Sequence, residues 1–159
     1  MADAGCIVIK PHHFIDILTD VGRGHTDWQP MPDFGHAVHL VARRLMANRD
    51  VLLEMEPGID DICRPCVHHV GDECDDVRAN PYPGQPAPKM EWNLMLDRGW
   101  SALLGLERGD RLTAREFCKK VQDAATLDTV RPIYPGQPEE VTQDRFRNLM
   151  AGVKIFCAG

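Results

Sequence analysis

Three of the chain's six cysteines, Cys63, Cys66 and Cys74, fall in one short segment with the spacing Cys-x2-Cys-x7-Cys. A Cys-x-x-Cys pair lets two thiolates converge on one ion or cluster from a single turn. Backbone N–H groups in such a turn also favour the thiolate form. His68 and His69 lie between the second and third cysteine. Three cysteines are one ligand short of a tetrahedral zinc site or an ordinary cluster. The fourth can come from nearby, at His68, His69, Asp72 or Asp75. The distant candidates are Cys6, His12, His13, Asp16, Cys118 and Cys157.

The elements around this loop are expected to position it. Ile7-Val8-Ile9 reads as a strand, and Pro11 suits the first turn of a helix with an apolar stripe at Phe14, Ile15, Ile17 and Leu18. His12 and Asp16 are four apart on that helix and share a face. Gly22-Arg23-Gly24 ends it. A second helix is expected from Phe34 to Asn48, capped by Asp33 and carrying His36 and His39 three apart. Val51–Met55 reads as a second strand that delivers the cysteine loop at its end, with Asp60 and Asp61 capping and bracing the turn.

Lys89 to Leu106 is the longest apolar-rich helix candidate, with Asp97-Arg98 read as an ion pair within it. Thr113-Ala114-Arg115-Glu116 fits a capping box that opens a helix to about Ala125. A last helix runs from near Thr142 to Cys157, its apolar end suited to docking on the core or on another subunit. Cys6, Cys118 and Cys157 sit in apolar surroundings and read as buried thiols. The pentapeptide Tyr82-Pro83-Gly84-Gln85-Pro86 recurs as Tyr134-Pro135-Gly136-Gln137-Pro138. The flanks differ, so this is two similar Pro-Gly turns rather than a duplication, and the two loops are candidates to line one shared surface.

At 159 residues, 43% hydrophobic and 26% charged, the chain is expected to form a single soluble domain over 1–159. A net charge of -6 gives no footprint of a nucleic-acid binder. The N-terminal apolar run stops at Lys10, too short for a signal or a membrane span, so a cytoplasmic location is expected. In that reducing compartment the cysteines read as ligands or thiols rather than disulfides. The fold class expected is α+β: a small sheet of short strands covered by four or five helices, with the metal-binding loop after the second strand.

Taken together, Pro11-His12-His13-Phe14-Ile15-Asp16, Gly22-Arg23-Gly24, and Asp60-Asp61-Ile62-Cys63-Arg64-Pro65-Cys66 through Cys74 resemble a family of small bacterial and archaeal proteins. Its members carry a domain of unknown function and are suspected of binding iron–sulfur clusters. They open with a strand and a Gly- or Pro-His-His helix start, and reach an Asp-Asp-x-Cys-x-x-Cys loop with one more cysteine after it. The similarity covers about residues 7 to 120 and leaves the tail from about 124 unmatched.

The resemblance implies a [4Fe-4S] cluster on Cys63, Cys66 and Cys74. Where the family's N-terminal cysteine is expected, this chain has Asp16. The fourth position is then Asp16 or open. A carboxylate is a harder and more labile ligand than a thiolate, so an iron held this way can exchange it for substrate and act as a Lewis acid. His12 and His13 are the candidates for moving a proton, and Arg23 and Lys89 for meeting an anionic substrate. The partners expected are a small-molecule substrate or a redox partner protein, with no nucleic acid and no membrane. An electron-transfer or accessory module is one alternative. A structural zinc domain is the other.

Overall fold

The computed structural model describes residues 5–159. Two parallel strands form its centre, β1 (Cys6–Ile9) and β2 (Leu52–Met55), in the register Cys6 to Leu52 through Ile9 to Met55. A third strand, β5 (Arg111–Thr113), pairs antiparallel with β2, giving the order β1-β2-β5. Parallel neighbours cannot be joined by a tight turn. The chain crosses over instead through α1 (Pro11–Gly22) and α2 (Val38–Ala47).

After β2 come a two-stranded hairpin, β3 (His69–Val70) and β4 (Glu73–Cys74), and the long helix α3 (Lys89–Leu104). Beyond β5 the chain forms α4 (Ala114–Ala124), the single turn α5 (Leu127–Val130), a 3-10 turn at Arg131–Ile133 and α6 (Glu139–Ala158). The fold is α+β, with six α-helices and a small sheet of short strands among the described residues. The count exceeds the expected four or five because α5 is too short to show an apolar stripe. None of these helices is long and apolar enough to cross a membrane.

The core lies between the sheet, α1, α4 and α6. Ile7, Ile9, Leu53 and Met55 point into it from the strands, and Phe14 meets Phe117 at 4.8 Å and Phe156 at 5.5 Å between ring centroids. The end of α6 therefore docks on the core. It runs against α1 so closely that a Cβ on Gly22 would overlap the Asn148 carbonyl, and one on Gly152 the Leu18 carbonyl. Glycine at both positions lets the two backbones touch, and α1 is fixed along its length.

Two expected boundaries and one pairing differ. The second helix starts at Val38, not Phe34, and Asp33 does not cap it. Gly35 adopts the left-handed conformation, φ 69°, which stops helical propagation. The freed backbone bonds the cysteine loop instead: Val67 N–H donates to the Phe34 carbonyl at 2.7 Å, and Ala37 N–H to the Ile62 carbonyl at 3.0 Å. His36 thus sits on a loop and only His39 on the helix. The last helix begins earlier than Thr142, at Glu139. Asp97 is buried but pairs with His12 rather than with Arg98. The expected capping box is present, with Thr113 Oγ1 accepting from Glu116 N–H at 3.1 Å and Glu116 Oε2 accepting from Thr113 N–H at 2.7 Å.

Candidate metal centre

Helix α1 begins without a side-chain cap: Lys10, before Pro11, offers only its carbonyl, which accepts from His13 N–H at 3.1 Å. The first N–H groups of a helix need acceptors and carry partial positive charge. Two carboxylates from distant segments supply them. Asp97 Oδ1, on α3, accepts from His12 N–H at 2.9 Å. Asp60 Oδ2, after β2, accepts from Lys10 N–H at 2.8 Å. The same two oxygens hold the two histidine rings, His12 Nδ1 to Asp97 Oδ1 at 2.8 Å and His13 Nδ1 to Asp60 Oδ2 at 2.7 Å. With Nδ1–H donated to a carboxylate, Nε2 of each ring is the nitrogen left for a ligand or a proton. This is how carboxylates orient histidines around metals.

The cysteine loop is tied to the same place. Asp61 exchanges bonds with the free edge of β1: its N–H donates to the Val8 carbonyl at 2.9 Å, and its Oδ2 accepts from Val8 N–H at 2.9 Å. Asp60 Oδ1 accepts from Cys63 N–H at 2.9 Å and opens the turn. Cys66 N–H closes it on the Cys63 carbonyl, also at 2.9 Å. Cys74 returns through the β3–β4 hairpin, in register with His69. Gly71, φ 62°, occupies the first position of its two-residue turn, as a Gly-x hairpin turn requires.

One nitrogen of His13, one oxygen of Asp60 and the sulfur of Cys63 all lie within 4.8 Å of one another. An imidazole, a carboxylate and a thiol at such spacing can hold a metal ion. The wider surroundings fit a bound thiolate. Lys10 is fully buried, and its Nζ has no hydrogen-bond partner among the described residues. Burial pushes the Cys63 thiol up to about 12, the Asp60 charge adds to this, and the Lys10 charge opposes both. A thiolate on a cation would give Lys10 the counter-charge it lacks. Burial would also raise Asp60, but the His13 charge and the bonds from His13, Lys10 and Cys63 reverse this. They hold its carboxyl far below the usual range.

His13 and Cys63, though not the fully buried Asp60, face a cavity of about 440 Å³, whose wall also includes His12, Asp16, Cys66, Cys74 and Lys89. Of the residues expected to hold the cluster, move a proton or meet an anion, all but Arg23 thus share one space. They do not all converge. Asp16 stands at the cavity's edge and pairs with Arg145 at 3.5 Å. Lys89 reaches Asp76 at 3.4 Å and lies over the Phe34 ring. Arg23 lies outside this cavity, half exposed beside Asp20 and Asp144. His68 and His69 are taken up by Asp75 and by the carbonyls of Arg64 and Gly71. Of the other thiols, Cys118 is fully buried, whereas Cys6 and Cys157 are half-buried.

In the sequence Asp60 reads as a brace for the turn and Asp97 as the partner of Arg98, whereas in the fold both accept from the start of α1. The signal for this is Lys10-Pro11, a helix start with no side-chain acceptor, which leaves N–H groups for carboxylates from elsewhere. No family model, curated protein or solved structure matches the chain.

Proposed function

We propose that the chain is a metal-dependent enzyme acting on a small polar molecule, with a single divalent ion, zinc by donor type, on His13, Asp60 and Cys63. The observation that carries this reading is the convergence of N, O and S donors within 4.8 Å, two of them, His13 and Cys63, on the wall of a cavity and the third, Asp60, buried behind them. Three protein ligands with a fourth position open to a cavity is the arrangement of catalytic rather than structural zinc. Such an ion supplies Lewis acidity and a water acidic enough to ionise near neutral pH. Cys63 and Asp60 bring negative charge to the ion. Asp97 holds His12 by Nδ1, so that Nε2 is the basic atom that takes or returns a proton at the cavity wall. Phe34, Ile59 and Ile62 line the same space and keep it partly dry.

A second reading is a [4Fe-4S] cluster on Cys63, Cys66 and Cys74 with Asp16 or an open position fourth, in an enzyme or a redox module. What favours it is that all four residues line one cavity. Each ligand of such a cluster binds a different iron, so its sulfurs stand farther apart than donors around one ion. The resemblance to the family suspected of iron–sulfur binding points the same way.

Metal and acid-labile sulfide analysis of protein purified without oxygen separates the two. The single-ion reading expects a colourless protein with one zinc per chain, lost in His13→Ala and Cys63→Ser. A brown protein with about four irons and matching sulfide overturns it in favour of the cluster. Protein that takes up no metal overturns both.

A further inference from the structure

A second cavity of about 360 Å³ adjoins the first and shares Asp16, Asp20, Arg78, Trp92 and Leu96 with it. The repeated pentapeptides meet here. Gln85 Nε2 donates to the Pro135 carbonyl at 2.9 Å, and a Cβ on Gly136 would overlap the Pro83 carbonyl. Tyr82, Gln85, Tyr134 and Gln137 all face this space. The two turns are therefore stacked into one wall, and what they frame is an arginine.

Arg78 differs from the other cations of the cleft. Arg23 has Asp20 and Asp144, Arg145 has Asp16, and Lys89 has Asp76. Arg78 Nη1 donates to the Pro86 carbonyl at 3.2 Å and Nη2 to Gln85 Oε1 at 2.9 Å, while the guanidinium lies 4.3 Å above Trp92. These partners hold it in place without neutralising it. Among the described residues no carboxylate stands within ion-pair distance of Arg78. Its surroundings penalise the charge, and burial lowers its pKa. A half-buried charge that is positioned but left unpaired is costly in the free protein and favours an anion in the cavity. A fixed guanidinium matches a carboxylate or phosphate through two parallel bonds. Nearby, Gln137 Oε1 and Arg145 Nε are buried with no hydrogen-bond partner, an acceptor and a donor for the rest of a ligand.

We infer that the junction of the two cavities binds the oxyanion of a small molecule, a carboxylate or a phosphate group, on the guanidinium N–H groups of Arg78 that Pro86 and Gln85 leave unused. The same molecule's other end then reaches toward the donors of His13, Asp60 and Cys63. That second half rests on the proposed metal site, whereas the anion end stands on Arg78 alone. The repeated Tyr-Pro-Gly-Gln-Pro turns are the scaffold of the anion end: Gln85 bridges them while holding the guanidinium.

The test is calorimetric titration of the full chain, metal-free and zinc-loaded, with sodium succinate and with inorganic phosphate at constant ionic strength. Saturable binding is expected for at least one anion in both forms. Succinate alone would mark a carboxylic acid as the ligand, and phosphate alone a phosphate ester. Arg78→Gln should weaken binding about tenfold or more and Arg78→Lys less, since lysine keeps the charge but not the fork. The exposed Lys119→Gln should change nothing. In the parent protein the indole N–H resonance of Trp92 should shift with added anion while that of Trp28 stays, a readout that needs no folded variant. Absence of saturable binding, equal binding by a folded Arg78→Gln, or a shift confined to Trp28 overturns the inference. Anion binding to a chain that takes up no metal would sustain it while sinking the metal reading.

Discussion

Gly22 and Gly152 face each other where α1 crosses α6: a Cβ on Gly22 would come within 2.8 Å of the Gly152 nitrogen, and one on Gly152 within 3.1 Å of the Gly22 nitrogen. Alanine is the better helix former by about 1 kcal/mol, so Gly152→Ala would stabilise an isolated α6. Here the added Cβ meets the Leu18 carbonyl, which is backbone and cannot swing aside. Overpacking of this kind costs roughly 1–3 kcal/mol. Urea denaturation should show Gly152→Ala less stable than the parent. Under the proposed single-ion reading, zinc affinity should fall with it, since α1 carries His13. A gain in stability would show that the helices are free to part.

Asp97 holds both the backbone and the ring of His12 through one oxygen. Asp97→Ala leaves a buried N–H and a buried imidazole without an acceptor, a loss of about 3 kcal/mol or more. Asp97→Asn keeps an acceptor and should lose less. If His12 works as a base on the cavity wall, Asp97→Asn should also change the pH profile of any activity while leaving metal content intact. Equal stability of the two variants would argue against the capping role.

Asp60 makes acid stability sensitive to one carboxyl. Its folded pKa is depressed, so the unfolded chain binds the proton first as pH falls. The stabilisation is complete above the unfolded value, about 4, and is lost progressively below it. In metal-free protein, urea midpoints should drop steeply from about pH 4.5 downward. Asp60→Asn should start lower at pH 7 and show a flatter acid limb. Parallel acid limbs would remove Asp60 as the source.

Cys63 should be a slow nucleophile in the metal-free protein. Burial, with the Asp60 charge behind it, pushes its thiol up to about 12, so little thiolate exists at pH 8. Peptide mapping after brief iodoacetamide treatment should find Cys63 labelled far more slowly than in the urea-unfolded chain. Asp60→Asn should speed labelling, Lys10→Met should slow it, and zinc should protect it. Labelling at the unfolded rate would contradict the buried site.

The two repeated turns are not equivalent. Both Gly84, φ 86°, and Gly136, φ 73°, need the left-handed conformation. A Cβ on Gly136 would overlap backbone, at Pro83, whereas one on Gly84 would come no closer than 3.9 Å to Pro135. Each Gly→Ala change costs about 1 kcal/mol in backbone strain. Gly136→Ala should cost clearly more, in a thermal melt, because the turns must also separate. Equal losses would show that they do not press on each other.

Most of the scaffold can be read from the chain. Alternating and 3.6-residue patterns mark β1, β2, α1, α3 and α4, and the Thr113 capping box marks where α4 starts. Each of those signals is local. The parts that cannot be read this way depend on distant partners. The two-residue strands β3 and β4 are too short for any periodicity. The start of α2 is set by Gly35 and by bonds to the distant cysteine loop (Phe34 to Val67 and Ala37 to Ile62). Cys63 announces itself through Cys-x-x-Cys, but Asp60 and Asp97 look like any acidic residue until the fold shows whose N–H groups they accept. Arg78 carries no motif at all. Its distinction is a missing counter-charge, which only the folded surroundings define.

The parallel pairing of β1 with β2 also sets an order of events. His13 leaves the end of β1 and Asp60 the end of β2, so the two arrive side by side only after the whole crossover between them has closed. Asp97 arrives later still, on a helix synthesised after the cysteine loop. A nascent chain therefore presents Cys63, Cys66 and Cys74 before Asp97 exists to accept from His12 at the start of α1. Thiols on an open loop bind metals with little discrimination. Under the proposed metal reading, selection of the ion falls to the long-range step that sets His13 against Asp60, and correct loading depends on folding faster than the loop can be claimed.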